Sequence, residues 1–262
     1  MRLAGIKKSS MPNKPLITVI TVVFNGESTI RDTIESVLGQ TYGNVEFIII
    51  DGGSTDKTLD VIKRYQDKID YWISERDRGL YDAMNKGVAL ANGSYIGMLN
   101  SDDYFASSSS LEILASSMNS TNADVIFAAL DIVDSRNPDR ILRKYRVRSY
   151  SAFLMRIGIM PPHPTVYCKK TVYLHAGPYR LDYRIAADFE MLVRLLLRHK
   201  VTWRFVDEVV VKMRAGGIST QGLKSYWTIN REIVRACREN GLYTNMLLLA
   251  LKLPVRIWEH LS

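Results

Sequence analysis

The chain has 262 residues, a net charge of +8, 47% hydrophobic and 24% charged residues. This is ordinary globular composition for one large α/β domain or one domain with an appendage, and it excludes an extended disordered chain. Cys168 and Cys237 stand far apart with no ligand-like spacing, so neither a disulfide framework nor a zinc site is expected and a reduced, cytoplasmic protein is.

Residues 1–14 read as a flexible basic arm, because they lack the apolar stretch of about 7–15 residues that a signal peptide needs. The β-branched run "PLITVITVVFN" then predicts a buried strand ending at Asn25. Ser28 is placed to cap a helix whose apolar positions Ile30, Ile34, Val37 and Leu38 share one face. "NVEFIIID" is a second strand, closed by "GGSTD", which offers Ser54, Thr55 or Asp56 as cap of a helix through Tyr65. "YWIS" gives a third strand, "GLYDAMNKGVALANG" a helix ended by Gly93, and "SYIGMLN" a fourth strand.

Strand and helix therefore alternate four times, the pattern of a mostly parallel sheet flanked by helices. Ligands of such sheets bind at the carboxyl ends of the strands. Asn25, "DGGSTD", "SERDRG" and "NSDD" all fall there.

Farther on, "ADVIFAALDIV" and "ILRKYRV" read as strands, the second within a basic run from Arg136 to Arg148. "RIAADFEMLVRLLLRHK" predicts a strong helix, "VTWRFVDEVVVKMR" two short strands, and 224–239 and 244–260 two C-terminal helices. The basic run suits an anionic partner or a solvated strand pair. It lacks the interleaved aromatics of a nucleic-acid surface, and no nucleic acid is expected as a partner.

"GMLNSDDY" places an amide, a hydroxyl and two adjacent carboxylates after the fourth strand. Two such carboxylates repel unless a cation or donors share the site, and Mg²⁺ favours one or two carboxylates completed by water and phosphate oxygens. Asn100 and Asp102, two apart, would share one side of an extended segment. Ser-Asp-Asp is also an ordinary turn or cap. Asp51 beside Gly52 suits acceptance of hydrogen bonds from a base or ribose better than phosphate binding.

"TVVFNGESTIRDTIESVLGQTYGNVEFIIIDGGSTDKT", "SERDRGLYDAMNKGVALANGSYIGMLNSDD" and "RIAADFEMLVR" resemble glycosyltransferase family 2 enzymes of the GT-A (Rossmann-like) fold, chiefly bacterial members that build surface polysaccharides. The resemblance runs over about 15–220. It implies a catalytic domain at 15–222, with a nucleotide-sugar-binding half (15–103), an acceptor-binding half (104–222) and a C-terminal helical extension at 223–262. It implies that Val22, Phe24 and Asn25 border the nucleotide, with Phe24 against the base and Asp51 and Gly52 beside it. "NSDD" would be the metal motif, with Asp102 the principal ligand to Mn²⁺ or Mg²⁺, Asp103 assisting, and Asn100 and Ser101 near the donor. Asn100 departs from the family's first aspartate.

Asp188 resembles the catalytic base of an inverting transferase; an N-cap is the other reading of it. Asp77 is expected on sugar hydroxyls, with Arg78 or Lys86 reaching diphosphate, and Tyr81, Met84 and Val88 in the core. His163 resembles a position near diphosphate or metal, and a lone histidine equally suits a structural role. Ala215–Thr220 reads as a loop able to close over the donor.

The expected activity is transfer of a sugar from a UDP-type donor to a glycan, on a polyprenyl diphosphate, for capsule, O-antigen or exopolysaccharide. A catalytically silent scaffold is the alternative. The tail, with Lys252, Arg256, Trp258 and His260, suits an interfacial helix on the inner membrane face or a packed helix kinked at Pro254. The basic run and the resemblance favour the membrane.

Overall fold

The structure is a computed structural model and describes residues 8–216 and 222–252. Strands β1 (Ile17–Val23), β2 (Val45–Asp51), β3 (Tyr71–Ser74) and β4 (Tyr95–Met98) are parallel, in the spatial order β3-β2-β1-β4. Helices α1 (Ile30–Leu38), α2 (Thr58–Arg64) and α3 (Leu80–Leu90) make the crossovers. Every residue of β1 is buried, because helices cover both faces of the sheet there. The chain winds outward from β1 through β2 to β3, then returns to set β4 on the other side of β1. That reversal opens a crevice at the carboxyl ends of β1 and β4.

The same sheet continues through the second half. β5 (Tyr104–Phe105), α4 (Ser110–Thr121), β6 (Val125–Val133) and β7 (Ile141–Tyr145) lead to α5 (Ala152–Arg156) and a 3-10 turn at His163–Thr165. β8 (Tyr167–Lys169), α6 (Lys170–Ala176), α7 (Ala187–Leu197), β9 (Trp203–Arg214), α8 (Gly222–Glu239) and α9 (Met246–Ala250) follow. β8 runs antiparallel between β4 and β6, β9 parallel to β6, β5 antiparallel to β9, and β7 antiparallel on β6. This mixed, helix-flanked sheet is the GT-A architecture.

Alternate strand residues feed two apolar layers. Val19, Phe47 and Ile49 pack with α1, α2 and α4, whereas Ile20, Ile48 and Ile50 pack with α3, α7 and α8.

Several local expectations change. The two strands expected over 201–214 are one, because its register against β6 slips at Ala128/Ala129 and Ala129/Leu130 and the bulge bends β9 instead of breaking it. Helix α1 begins after Thr29 with no side-chain cap, so Ser28 does not cap it. Helix α3 ends at Leu90, ahead of Gly93, whose N–H donates to Thr18 Oγ1 (2.9 Å).

Lys252 lies inside the fold, not on a surface. It is 1% exposed, donates to Asn230 Oδ1 on α8 (2.5 Å) and lies over the Tyr226 ring. Its long stem fills the gap between α8 and the segment after α9, and the Asn230 oxygen meets its charge. Arg256, Trp258 and His260, and most of the 215–220 loop, lie outside the described residues. Among the described residues no helix is long and apolar enough to cross a membrane.

Candidate active site

Three loops meet at the mouth of β1 and β2. Gly52 N–H donates to the Val23 carbonyl (2.9 Å), Asn25 N–H to Ser54 Oγ (2.8 Å), and Thr55 N–H to Asn25 Oδ1 (2.9 Å). Asn25 takes the left-handed φ of 52°, a conformation Asn tolerates better than most residues. This turn leaves Phe24 at the rim, 63% exposed, an aromatic face open to a planar ligand.

Two expected ligand-facing residues turn inward instead. Val22 is buried in the core beneath the loop, on the strand face opposite to Val23. Asp51 is fully buried and satisfied by its own surroundings. Gly53 N–H (3.1 Å), Ser54 N–H (3.0 Å) and Ser74 Oγ (2.6 Å) donate to Oδ2, and Ser54 Oγ donates to Oδ1. Asp51 is thus the clamp that folds the "GGS" loop, which corrects its expected place beside the base.

A Cβ built on Gly52 would overlap Asp77 Oδ2 and stand 3.1 Å from that carboxyl carbon. Asp77 Oδ1 accepts from Gly79 N–H (2.8 Å). Arg78 is spent on Asp82 (3.0 Å) and Lys86 on Glu75 (2.7 Å).

The 100–103 turn lies across the crevice. Asp103 N–H closes it on the Asn100 carbonyl (3.0 Å), and Thr33 Oγ1 of α1 donates to the Asp103 carbonyl (2.7 Å). Gly26 sits against Ser101, where an added Cβ would meet Ser101 Oγ at 3.4 Å, so the β1 loop and the turn share one wall. Arg214, at the end of β9, donates to the Asp102 carbonyl (2.8 Å), pairs with Asp32 of α1 and lies over the Tyr104 ring.

The turn sends its two carboxylates in opposite directions. Asp103 is 1% exposed; Asn100 Nδ2 donates to Oδ2 (3.1 Å), while Oδ1 has no hydrogen-bond partner. Burial, then the charge of Asp102, pushes the Asp103 carboxyl well above the usual range. It therefore lies under the turn, a correction to its expected assistance at a cation.

Asp102 is half-buried at the surface of the crevice, and burial raises its carboxyl too, against the pull of Arg214. Among the described residues no group of three or more His, Cys, Asp or Glu could hold a metal alone. A desolvated carboxylate next to the Asn100 and Ser101 oxygens does fit a Mn²⁺ or Mg²⁺ ion completed by water and phosphate oxygens.

Asp188 stands in the first turn of α7 and accepts from Phe189 N–H (2.8 Å) and, at 3.4 Å, from the hydroxyl of Tyr81 on α3. Tyr81 also donates to the Ile185 carbonyl and stacks on Tyr179 (centroids 6.0 Å apart). Tyr179 meets His163 Nε2 (3.1 Å) and Tyr173 Oη (3.1 Å). His163 is buried, which lowers its pKa, while the charge of Asp188 raises it. The histidine thus belongs to an aromatic floor beneath Asp188.

The segment before Asp188 is held from outside. Glu232 of α8 accepts from Arg184 N–H (2.7 Å), Ile185 N–H (2.9 Å) and Ala186 N–H (2.9 Å). Sequence reasoning passed over Glu232, Arg214, Asp32 and Thr33, whereas Tyr81 packs in the core as expected, with its hydroxyl turned to the Ile185 carbonyl and Asp188.

A family model described as Glycosyl transferase family 2 matches residues 18–174. An uncharacterized glycosyltransferase of Mycobacterium tuberculosis (strain CDC 1551 / Oshkosh) is 32% identical over 201 residues, 71% of each chain. A PGL/p-HBAD biosynthesis glycosyltransferase of Mycobacterium bovis (strain BCG / Pasteur 1173P2) is 27% identical over 215 residues, 78% of this chain and 79% of that one. Among solved structures, S. aureus TarS 1-349 in complex with UDP-GlcNAc superimposes with a TM-score of 0.66 at 15% identity, over 90% of this chain and 70% of that one. The chain spans 43% of the length of another TarS structure, at a TM-score of 0.65 and 15% identity. The mannosyltransferase PcManGT from Pyrobaculum calidifontis, in complex with GDP-Man and Mn²⁺, gives 0.60 at 14% identity, over 94% of this chain and 83% of that one. Its ordered motifs, sheet order and this match over most of its length make the chain a member of glycosyltransferase family 2, and a glycosyltransferase.

Proposed function

We propose that the protein is an inverting, metal-dependent transferase that moves a sugar from a UDP-sugar to a glycan acceptor. The observation that supports this reading is the pair of half-buried carboxylates, Asp102 on the 100–103 turn and Asp188 on the first turn of α7. Asp188 takes the proton of the acceptor hydroxyl as its oxygen bonds to the anomeric carbon, and the bond from that carbon to the diphosphate breaks on the opposite face. One displacement inverts the configuration and asks for no carboxylate nucleophile. A Mn²⁺ or Mg²⁺ ion held by Asp102 would neutralise the departing diphosphate. The segment 15–103 then serves the donor and 104–222 the acceptor.

The acceptor proposed is a glycan on a polyprenyl diphosphate, for a surface polysaccharide. The name of the M. bovis relative, a PGL/p-HBAD biosynthesis glycosyltransferase, supports a biosynthetic role. Peripheral contact with an anionic membrane follows from the basic run, in which Arg136 and Arg140 are exposed, and from exposed Tyr243, Leu247 and Leu251. Asn100 favours a second reading, a silent scaffold that binds nucleotide-sugar.

Calorimetry with UDP, with and without Mn²⁺, tests the function on the wild type and Asp102→Ala. The expected result is metal-dependent binding that the substitution abolishes, with sugar transfer to a lipid-linked acceptor. Binding without transfer or donor turnover would leave the scaffold, and no binding of UDP, GDP or TDP would reject both.

A further inference from the structure

The natural candidate for reading the base is the carboxylate at the tip of β2, yet it is fully buried and holds three donors of its own loop and the Ser74 hydroxyl of β3. A side chain at the next position could take the role, but that position is Gly52. The space such a side chain would use is filled by another carboxylate, since a Cβ on Gly52 would overlap Asp77 Oδ2. We propose that Asp77, reaching over Gly52 from the loop after β3, reads the donor base by accepting the N3–H of a uracil or thymine ring. This rests on the nucleotide-sugar reading above and replaces the expected contact of Asp77 with sugar hydroxyls.

The geometry selects the base. Asp77 Oδ1 is committed to Gly79 N–H (2.8 Å), which fixes the plane of the carboxylate, and among the described residues no donor reaches Oδ2. One open acceptor matches the single imide N–H of uracil or thymine. Guanine presents N1–H and an amino group side by side and would ask for both oxygens. Phe24, the residue after Val23 and 63% exposed, would supply the surface on which the ring stacks. Glycine at 52 is thus a requirement, because any side chain there evicts the carboxylate.

The test uses UDP and N3-methyl-UDP, which lacks the N–H. Dissociation constants are measured for the full chain as wild type, Asp77→Ala and Gly52→Ala, with thermal melting to establish that each variant is folded. The wild type should prefer UDP by about tenfold to a hundredfold, the worth of one hydrogen bond to a charged group. Asp77→Ala should lose that preference, binding both ligands within about twofold of each other. Gly52→Ala should behave likewise although Asp77 is intact, and Gly52→Asp combined with Asp77→Gly should recover a preference for UDP. UDP binding with undiminished discrimination in Asp77→Ala would overturn the assignment and leave the function standing. A wild type that binds no nucleoside diphosphate would remove the function and the assignment together.

Discussion

The 100–103 turn and the first turn of α7 each keep one half-buried carboxylate, and they hold it by different means. Asp102 is fixed through its turn by groups from α1 and β9: Thr33 on α1, the Asn100–Asp103 contact beneath it, and Arg214 of β9 tying the turn to Asp32. Asp188 is fixed by groups drawn from three distant parts of the chain, Tyr81 on α3, the Tyr179–His163 pair under it, and Glu232 on α8. The second arrangement rests on one α8 carboxylate that takes three backbone N–H groups, so a single substitution there should be felt at Asp188.

The largest expected effect is at the proposed base. Asp188→Asn should lower the rate of transfer by about a hundredfold to ten-thousandfold while the dissociation constant of UDP stays within about twofold. A rate loss matched by an equal loss of UDP affinity would erase the distinction between the two sides. Asp102→Asn should do the opposite, weakening Mn²⁺-dependent UDP binding by about tenfold to a hundredfold and leaving metal-free binding unchanged in calorimetry.

Glu232→Gln sharpens the contrast, because the amide has one accepting oxygen where the carboxylate offers two to three backbone N–H groups. It should lower stability by about 1–3 kcal/mol in denaturant unfolding and reduce kcat without altering UDP affinity. The smallest effect is a pH dependence at His163. Burial holds its folded pKa below the unfolded value of 6.5, so the unfolded chain binds the extra proton first. The neutral form's contribution is complete above the unfolded pKa and is lost as pH falls from 6.5 through the lower folded value. His163→Gln should melt with an acid-side slope shallower by about 2 °C over that window.

The same asymmetry governs how much was legible in the sequence. The first hundred residues are written in contiguous runs, β-branched strands ending in Gly, Ser, Asn and Asp, so fold class, the alternation of strand and helix, and the oxygen-rich 100–103 segment could be read from residue types alone. The direction of each side chain could not. Asp51 and Asp103 carry the right chemistry, and hydrogen bonding and burial turn them inward. In segment 104–176 the strands β6 and β7 were legible, but α5, α6 and β8 were not, since they are short and their pattern is set by packing. Glu232 is invisible in sequence because its partners, the backbone N–H groups of 184–186, have no residue signature.

The grip of α8 on the loop before Asp188 bears on engineering. A chimera that keeps residues 15–222 and grafts a foreign tail would carry each conspicuous motif intact and still lose the Glu232 anchor. Such a hybrid should engage its donor normally and turn over slowly. The natural exchange unit therefore runs from the loop before α7 through α8, cut ahead of Arg184 and after Glu239.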